Sequence, residues 1–422
     1  MATFRADVTP APGSPLIWTT PVVKVEDPLW AKGVVIEDEA VRYVLCALDW
    51  CGVANSTHLL FRNALASAAG TEVSRVTLHS VHQHTAPYVD GAAYELLGKL
   101  PNPPLRMSDR QLRAVADSLA DAVKKAIDNL QPFDRIGIGR ARVERVASAR
   151  RIHAADGKLL TRFSTGGSEP ALAAAPEGPI DPEIRTITLA RGTWPLARIH
   201  FYATHPQTFC CDGRVSADFV GDAREKVEKT TGIPQIYFTG CAGDVTVGKY
   251  NDRSAQARAG LAARLATTME ASSASTEFQR TGAVRWKTVP LKLPLPADPA
   301  FLQTRIAQLE ARPQHDSDDD LYRSAISVSF ARRDAPLEGK SLRLGRVRIV
   351  FLPGEPMLTF QRFAQDLKPA AFVTVAGYGD ISPGYLCTDG AFQEGGYEPG
   401  ASNAGPGTEA AVKDCITSLL ED

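Results

Sequence analysis

The chain has 422 residues, 44% hydrophobic and 23% charged, a profile that excludes a disordered, collagen-like or coiled-coil protein. Its 47 lysines and arginines balance 48 aspartates and glutamates, so no long-range field draws it to nucleic acid or to an anionic membrane. No stretch approaches the roughly 18 apolar residues of a spanning helix, and the amino terminus lacks the basic-then-apolar pattern of a secretory signal, so a cytoplasmic protein is expected.

In chain order, Ala40–Asp49 reads as a strand, Ser56–Ala69 as a helix and Glu72–Val81 as a second strand, which is βαβ order. Ser108, with Gln111 three residues on, predicts the N-cap of a helix running to Leu130. Its Leu112, Val115, Leu119, Val123 and Ile127 recur at helical spacing and should face a sheet. Strand Arg198–Thr204, a helix from Asp218 to Thr230 and strand Gln235–Thr239 repeat the βαβ order. Further strands are expected at Val284–Leu293, Arg346–Leu352 and Ala371–Val375, and helices at Asp252–Ala271, Pro299–Ala311, Met357–Leu367 and Glu409–Leu420. Gly166–Pro182 and Gln314–Asp320 read as irregular excursions; the HDSDDD of the latter lacks the glycine and distal glutamate of a calcium loop and is expected to be a solvated surface loop. No fixed-period repeat is present, which excludes solenoids and propellers. The expected fold is α/β, mixed sheets flanked by helices, forming one catalytic domain over residues 1–422 with a possible small lobe at 280–340.

The chemistry-bearing residues cluster at predicted strand ends. Two of the eight histidines, His82 and His84, follow the branched run before Val81; in an extended segment they would share a face at the C-terminal edge of a sheet. Neutral imidazoles there suit zinc, although an HxH pair read alone also fits capping hydrogen bonds. His205, before Pro206, ends the next strand at the same edge, whereas His200 falls on the opposite face and reads as a satisfied core histidine. Glu355 follows a buried strand and the turn Pro353-Gly354, placing a carboxylate as metal ligand, general base or helix-terminal anion. The run from Gly377 to Tyr397 is a shaped, glycine-rich loop whose Tyr378, Tyr385, Phe392 and Tyr397 read by default as core plugs. The small-residue turn Thr239–Val245 permits close backbone approach. The seven cysteines, an odd and dispersed set without a C-x-x-C pair, are expected to be reduced, with Cys210 and Cys211 as small buried residues.

Those segments, in that order, resemble the catalytic domain of the neutral/alkaline (non-lysosomal) ceramidase family, zinc-dependent amidases that cleave the N-acyl bond of ceramide. His82-Gln83-His84-Thr85-Ala86-Pro87 is similar to the family's HTHSGP-type motif, and His205 to its strand-end histidine. Leu352-Pro353-Gly354-Glu355 is similar to its FPGE segment, and Tyr385 and Tyr397 to its SGY…YE tyrosines. The resemblance implies zinc held by His82, His205, Glu355 and Tyr385, with His84 and Tyr397 lining the reaction centre. It makes Arg150, in Ala149-Arg150-Arg151, the counterpart of a substrate-contacting arginine that the family carries after an asparagine. Gly240 stands where the family has a serine, so metal-activated water is the implied nucleophile. The likeness spans about residues 3 to 405 and does not extend to the family's C-terminal immunoglobulin-like domain.

The reading that results is a zinc-dependent hydrolase of amide bonds in a small acylated substrate other than ceramide, with a homo-oligomer as the generic expectation for its assembly. Its alternatives are an ester or lactone hydrolase on the same site, an amidohydrolase-type zinc enzyme, and a silent metal- or ligand-binding relative.

Overall fold

Antiparallel hairpins that each end in a parallel pair are the recurring device of this chain. A computed structural model describes residues 1–154, 156–296, 298–311 and 317–421. Among these residues the longer strands form three mixed sheets, in agreement with the expected α/β class. The first runs Ala2–Asp7, Trp30–Asp38, Val41–Leu48, Val76–Ser80. The second runs Gln235–Thr239, Trp194–Tyr202, Glu183–Arg191, Arg135–Arg142, Glu277–Arg280. The third runs Arg285–Leu291, Leu337–Leu344, Val347–Phe351, Phe372–Ala376.

In each sheet a hairpin leads into a helix and then into a strand parallel to the hairpin's second arm. The helices are Asn55–Ala69, Asp218–Thr231 and Leu358–Leu367. Two neighbouring strands that run the same way need such a crossover. The three parallel registers end at Leu48 beside Ser80, Tyr202 beside Thr239 and Phe351 beside Ala376. Those ends are stitched to one another: Gly377 N–H donates to the Thr239 carbonyl (3.0 Å), Ser80 N–H to that of Tyr378 (2.8 Å), and the Thr239 hydroxyl to that of Val81 (2.7 Å). Whatever follows these strands therefore falls into one volume, at the carboxyl edge where α/β sheets place ligands.

The crossover units sit close to their predicted bounds because their strands are buried throughout; Val44 to Leu48 is fully covered, as is Ile236 to Phe238. Ser108 and Gln111 form the predicted reciprocal capping box, and the helix Asp109–Ile127 buries Leu112, Leu119 and Val123. The antiparallel strands Ala2–Asp7, Trp30–Asp38, Arg135–Arg142, Glu183–Arg191 and Leu337–Leu344 were not expected. Arg135–Arg142 shows why: Gly137 and Gly139 look like loop residues, yet a Cβ at Gly139 would lie 1.9 Å from the Ser272 carbonyl, so glycine is what lets the helix Ala255–Ala274 pack there.

Two irregular excursions need correction. Within Gly166–Pro182 the residues Gly166–Ser168 form a 3-10 turn and Pro170–Ala174 a short helix. Residues 314–316 lie outside the described residues, but Ser317 caps a helix, Asp318–Ala331, with Asp318, Asp319 and Asp320 in its first turn. There the carboxylates offset the exposed N–H ends, so the acidic run opens a helix where a loop was expected. This helix pairs with Pro299–Ala311 and packs on Gly91–Leu97, with Tyr322 Oη donating to the Tyr88 carbonyl (3.1 Å). No described helix is long and apolar enough to cross a membrane.

Candidate metal centre and active-site cleft

Three side chains, one from each crossover unit, meet at the stitched strand ends. His82 follows Val76–Ser80, His205 follows Trp194–Tyr202 and Glu355 follows Val347–Phe351. Glu355 Oε2 lies 3.2 Å from His82 Nε2 and 3.2 Å from His205 Nε2, and all three residues are buried. His84 Nε2 stands 3.3 Å from His82 Nε2. Extended geometry does not bring the two histidines of the pair together, as had been expected: His82 has φ +78°, and this left-handed residue turns the chain so that the rings meet edge to face, centroids 4.9 Å apart.

Backbone carbonyls decide which nitrogen of each ring is free. His82 Nδ1 donates to the Cys51 carbonyl (2.5 Å), and His205 Nδ1 to the carbonyls of Ala242 (2.7 Å) and Val245 (3.1 Å). A carbonyl only accepts, so Nδ1 carries the hydrogen and Nε2 presents a lone pair to the Glu355 carboxylate. Acceptors this close need a positive charge between them. In the bare cluster a proton serves: burial opposes an imidazolium at His82, but the Glu355 carboxylate overrides it and lifts His82 to about 10. Burial and then Arg150 press His205 down to about 4, and burial with its two imidazole neighbours holds His84 well below the ordinary range. Burial also pushes Glu355 up, yet the charge on His82 and the bonds from both rings keep it well below the usual carboxylate range.

A divalent cation also fits the same donors, because two imidazole nitrogens and a carboxylate oxygen, all within 4.8 Å of one another, are borderline ligands suited to zinc. Cys51, His82 and His84 are also grouped, but the Cys51 thiol faces His82 Nδ1 (3.8 Å), which is already donating to a carbonyl, and burial raises that thiol above its ordinary range.

Around this cluster stands a wall of aromatic and guanidinium groups. The Tyr385 ring stacks near His205 (centroids 6.5 Å), and its hydroxyl accepts from Arg150 Nη1 (2.9 Å). The same Nη1 donates to the Gly243 carbonyl (3.0 Å) and lies 3.7 Å from Glu398 Oε1. Burial raises Tyr385 well above the ordinary phenol range, with Arg150 opposing it. Tyr397 meets Tyr385 edge to face at 5.7 Å, and the Arg150 guanidinium lies 5.5 Å from both rings. His82, His84, Glu355, Tyr385 and Tyr397 line a cleft of about 100 Å³ together with Trp18, Phe301 and Arg323. All seven residues singled out in the sequence thus lie in or directly behind one cleft.

Other expectations change. Tyr378 was read as a core plug; its ring stacks on His82 at 4.4 Å, and its buried hydroxyl has no hydrogen-bond partner among the described residues. Its signal was the turn following a buried strand, here with φ +62°. Glu398, which holds Arg150 and Arg151, also went unremarked; it directly follows Tyr397 and is buried. Cys210 and Cys211 are not reduced, buried residues: they form a vicinal disulfide, half-buried at Cys210 and exposed at Cys211, in a loop where Cys211 has φ +63°. His200 is the expected core histidine, bonded to Thr186 (2.9 Å) and Gln235 (2.7 Å). At Gly240 a Cβ would lie 2.4 Å from Gln361 Oε1, which accepts from Cys241 N–H (3.0 Å).

No protein-family model and no curated protein matches the sequence. Among solved structures, neutral ceramidase from Pseudomonas aeruginosa superposes with a TM-score of 0.72 at 17% identity, covering 99% of this chain and 73% of that one. A ceramidase complexed with C2 gives 0.72 at 15% identity, covering 99% of this chain and 74% of that one. The chain shares the fold of these two ceramidase structures.

Proposed function

We propose that this protein is a zinc-dependent hydrolase of amide bonds in small N-acylated compounds, with His82, His205, Glu355 and Tyr385 holding the metal. The observation that carries the reading is the three-donor cluster, whose Nε2 lone pairs are fixed toward Glu355 by backbone carbonyls on the far side of each ring. When bound, zinc supplies Lewis acidity, polarising a carbonyl and bringing the pKa of water from ~16 toward ~7.

The chain's own residues supply the rest. Arg150 favours the ionised form of Tyr385 by holding its oxygen at 2.9 Å. Tyr397 and His84 line the cleft as donors to the oxygen on which charge develops during attack. His84 lies beside the three-donor cluster without belonging to it; kept neutral by burial, its imidazole takes the proton released by the attacking water and hands it to the departing nitrogen. Water is the nucleophile in this reading: of the serine hydroxyls lining the cleft, Ser402 is committed to the carbonyls of Tyr385 and Ala404 and Ser327 to the Arg323 carbonyl and Asn403 Oδ1, and position 240 has no side chain.

A cleft of about 100 Å³ is small beside the roughly 300–1,000 Å³ of a typical ligand pocket, which favours an acyl compound smaller than a two-chain lipid. The test is metal analysis of the purified protein, with a screen of short-chain N-acyl amides, esters and lactones before and after chelation. Stoichiometric zinc and chelator-sensitive amide cleavage are expected. Bound zinc with no acyl compound hydrolysed would overturn the enzymatic reading, and preferential ester or lactone cleavage would replace the amide.

A further inference from the structure

We infer that the chain carries a second binding site, for a small carboxylate with an apolar tail, in a cavity behind the turn that bears Glu355. The cavity measures about 650 Å³ and shares no lining residue with the cleft. Leu352, Pro353 and Gly379 line it, so part of its wall comes from the segments that carry Glu355 and Tyr378.

Its walls are apolar, built from Leu59, Val73, Val76, Leu78, Leu96 and Phe351. Its floor is charged. Arg62 and Lys340, with side chains only 9% and 6% exposed, share one carboxylate: Glu338 Oε2 lies 3.1 Å from Arg62 Nη2 and 2.5 Å from Lys340 Nζ. Arg333 is neutralised by Asp380 at 2.7 Å. His58 and His79 add no charge, because burial holds them down to about 4 and about 3. Three buried or half-buried cations thus face two carboxylates, Glu338 and Asp380, leaving one positive charge over.

Burial and the neighbouring Arg62 lower the Lys340 ammonium to about 8, so at neutral pH it keeps its charge and an arriving anion would favour the charged form further. A carboxylate matches this arrangement, since its two oxygens suit the fork of a guanidinium and reach an ammonium at once, as Glu338 does. One unit of negative charge balances the floor, and the apolar walls select a hydrocarbon tail over a second polar group. The inference is independent of the metal assignment.

Isothermal titration of the full chain with decanoate, decanol and decyltrimethylammonium tests it. Decanoate is expected to bind at one equivalent, about tenfold or more tighter than decanol, with the cationic amphiphile weakest. Lys340→Met should remove the preference for decanoate. Leu59→Trp, at a 48% exposed position, narrows the apolar wall without touching a charge and should weaken both decanoate and decanol. His205→Ala, which disrupts only the histidine cluster, should leave decanoate affinity within about twofold. Equal affinity for acid and alcohol, no binding at all, or decanoate binding that survives Lys340→Met and disappears in His205→Ala would overturn the site. Should Lys340→Met fail to fold, Leu59→Trp decides: unchanged decanoate affinity in that variant contradicts the cavity.

Discussion

The two halves of the cleft are held in place by different means. His82 and His205 are oriented by main-chain carbonyls of the strand-end turns, groups fixed by the fold whatever the neighbouring side chains are. Tyr385, Tyr397 and Arg150 are oriented chiefly by one another, through a hydroxyl–guanidinium bond, an edge-to-face ring contact and the Glu398 carboxylate. A donor fixed by backbone is present or absent. A wall of mutually supporting side chains can be trimmed and still function in part, so substitutions in the first half should act as switches and those in the second as graded losses.

The sharpest way to break this contrast is Glu355→Ala or His205→Ala, either of which should release the metal and reduce turnover to background; retained stoichiometric zinc in metal analysis would end the distinction. Next comes Asp49→Ala. Asp49 binds Arg224 through two bonds, at 2.8 and 2.7 Å, with both side chains fully buried, and accepts from Gln83 within the histidine motif at 3.1 Å. Removing it strands a buried guanidinium and should cost ~3–5 kcal/mol in denaturant unfolding, far more than a surface pair. Outside the three-donor cluster, Tyr397→Phe in the graded half and His84→Ala beside the cluster should each lower kcat by ~10²–10³-fold with zinc kept, as loss of one donor to a developing oxyanion does. Gly240→Ser should cost ~1–3 kcal/mol through its overlap with Gln361 and give no increase in rate, readable as a lowered melting temperature with unchanged turnover. The smallest effect belongs to Tyr378→Phe, which keeps the ring on His82 and removes only a hydroxyl without a partner among the described residues; a stability change within ~0.5 kcal/mol is expected. A large loss of activity there would move Tyr378 into the graded half.

The division also explains what the sequence revealed. The crossover units were legible because their strands are continuously apolar and their helices amphipathic, and the residues just past them could be named from position alone: His82, His205 and Glu355. The convergence of His82 and His84 was expected for the wrong reason, since it comes from a left-handed turn at His82 that alternation cannot reveal. The threefold recurrence of hairpin, helix and parallel strand left no sequence period, because the segments between units differ in length and content. The outer wall was reached only through resemblance. Arg150 follows the buried two-residue strand Ser148–Ala149 within a stretch that reads as polar surface, and only tertiary packing shows that it is 3% exposed and bonded to Tyr385. The antiparallel strands with glycines or alternating charges were hidden for a related cause: their burial is set by a helix or sheet distant in sequence, as at Gly139 under Ser272.

The central claim is that a single divalent ion joins the three crossover units. Anomalous diffraction recorded on either side of the zinc absorption edge tests it directly in crystals of the purified protein. A difference peak within bonding distance of His82 Nε2, His205 Nε2 and Glu355 Oε2 is the predicted result, at the roughly 2.0–2.2 Å of zinc–nitrogen and zinc–oxygen bonds. A featureless map at that point, with the carboxylate bonded to a protonated imidazole, would contradict it.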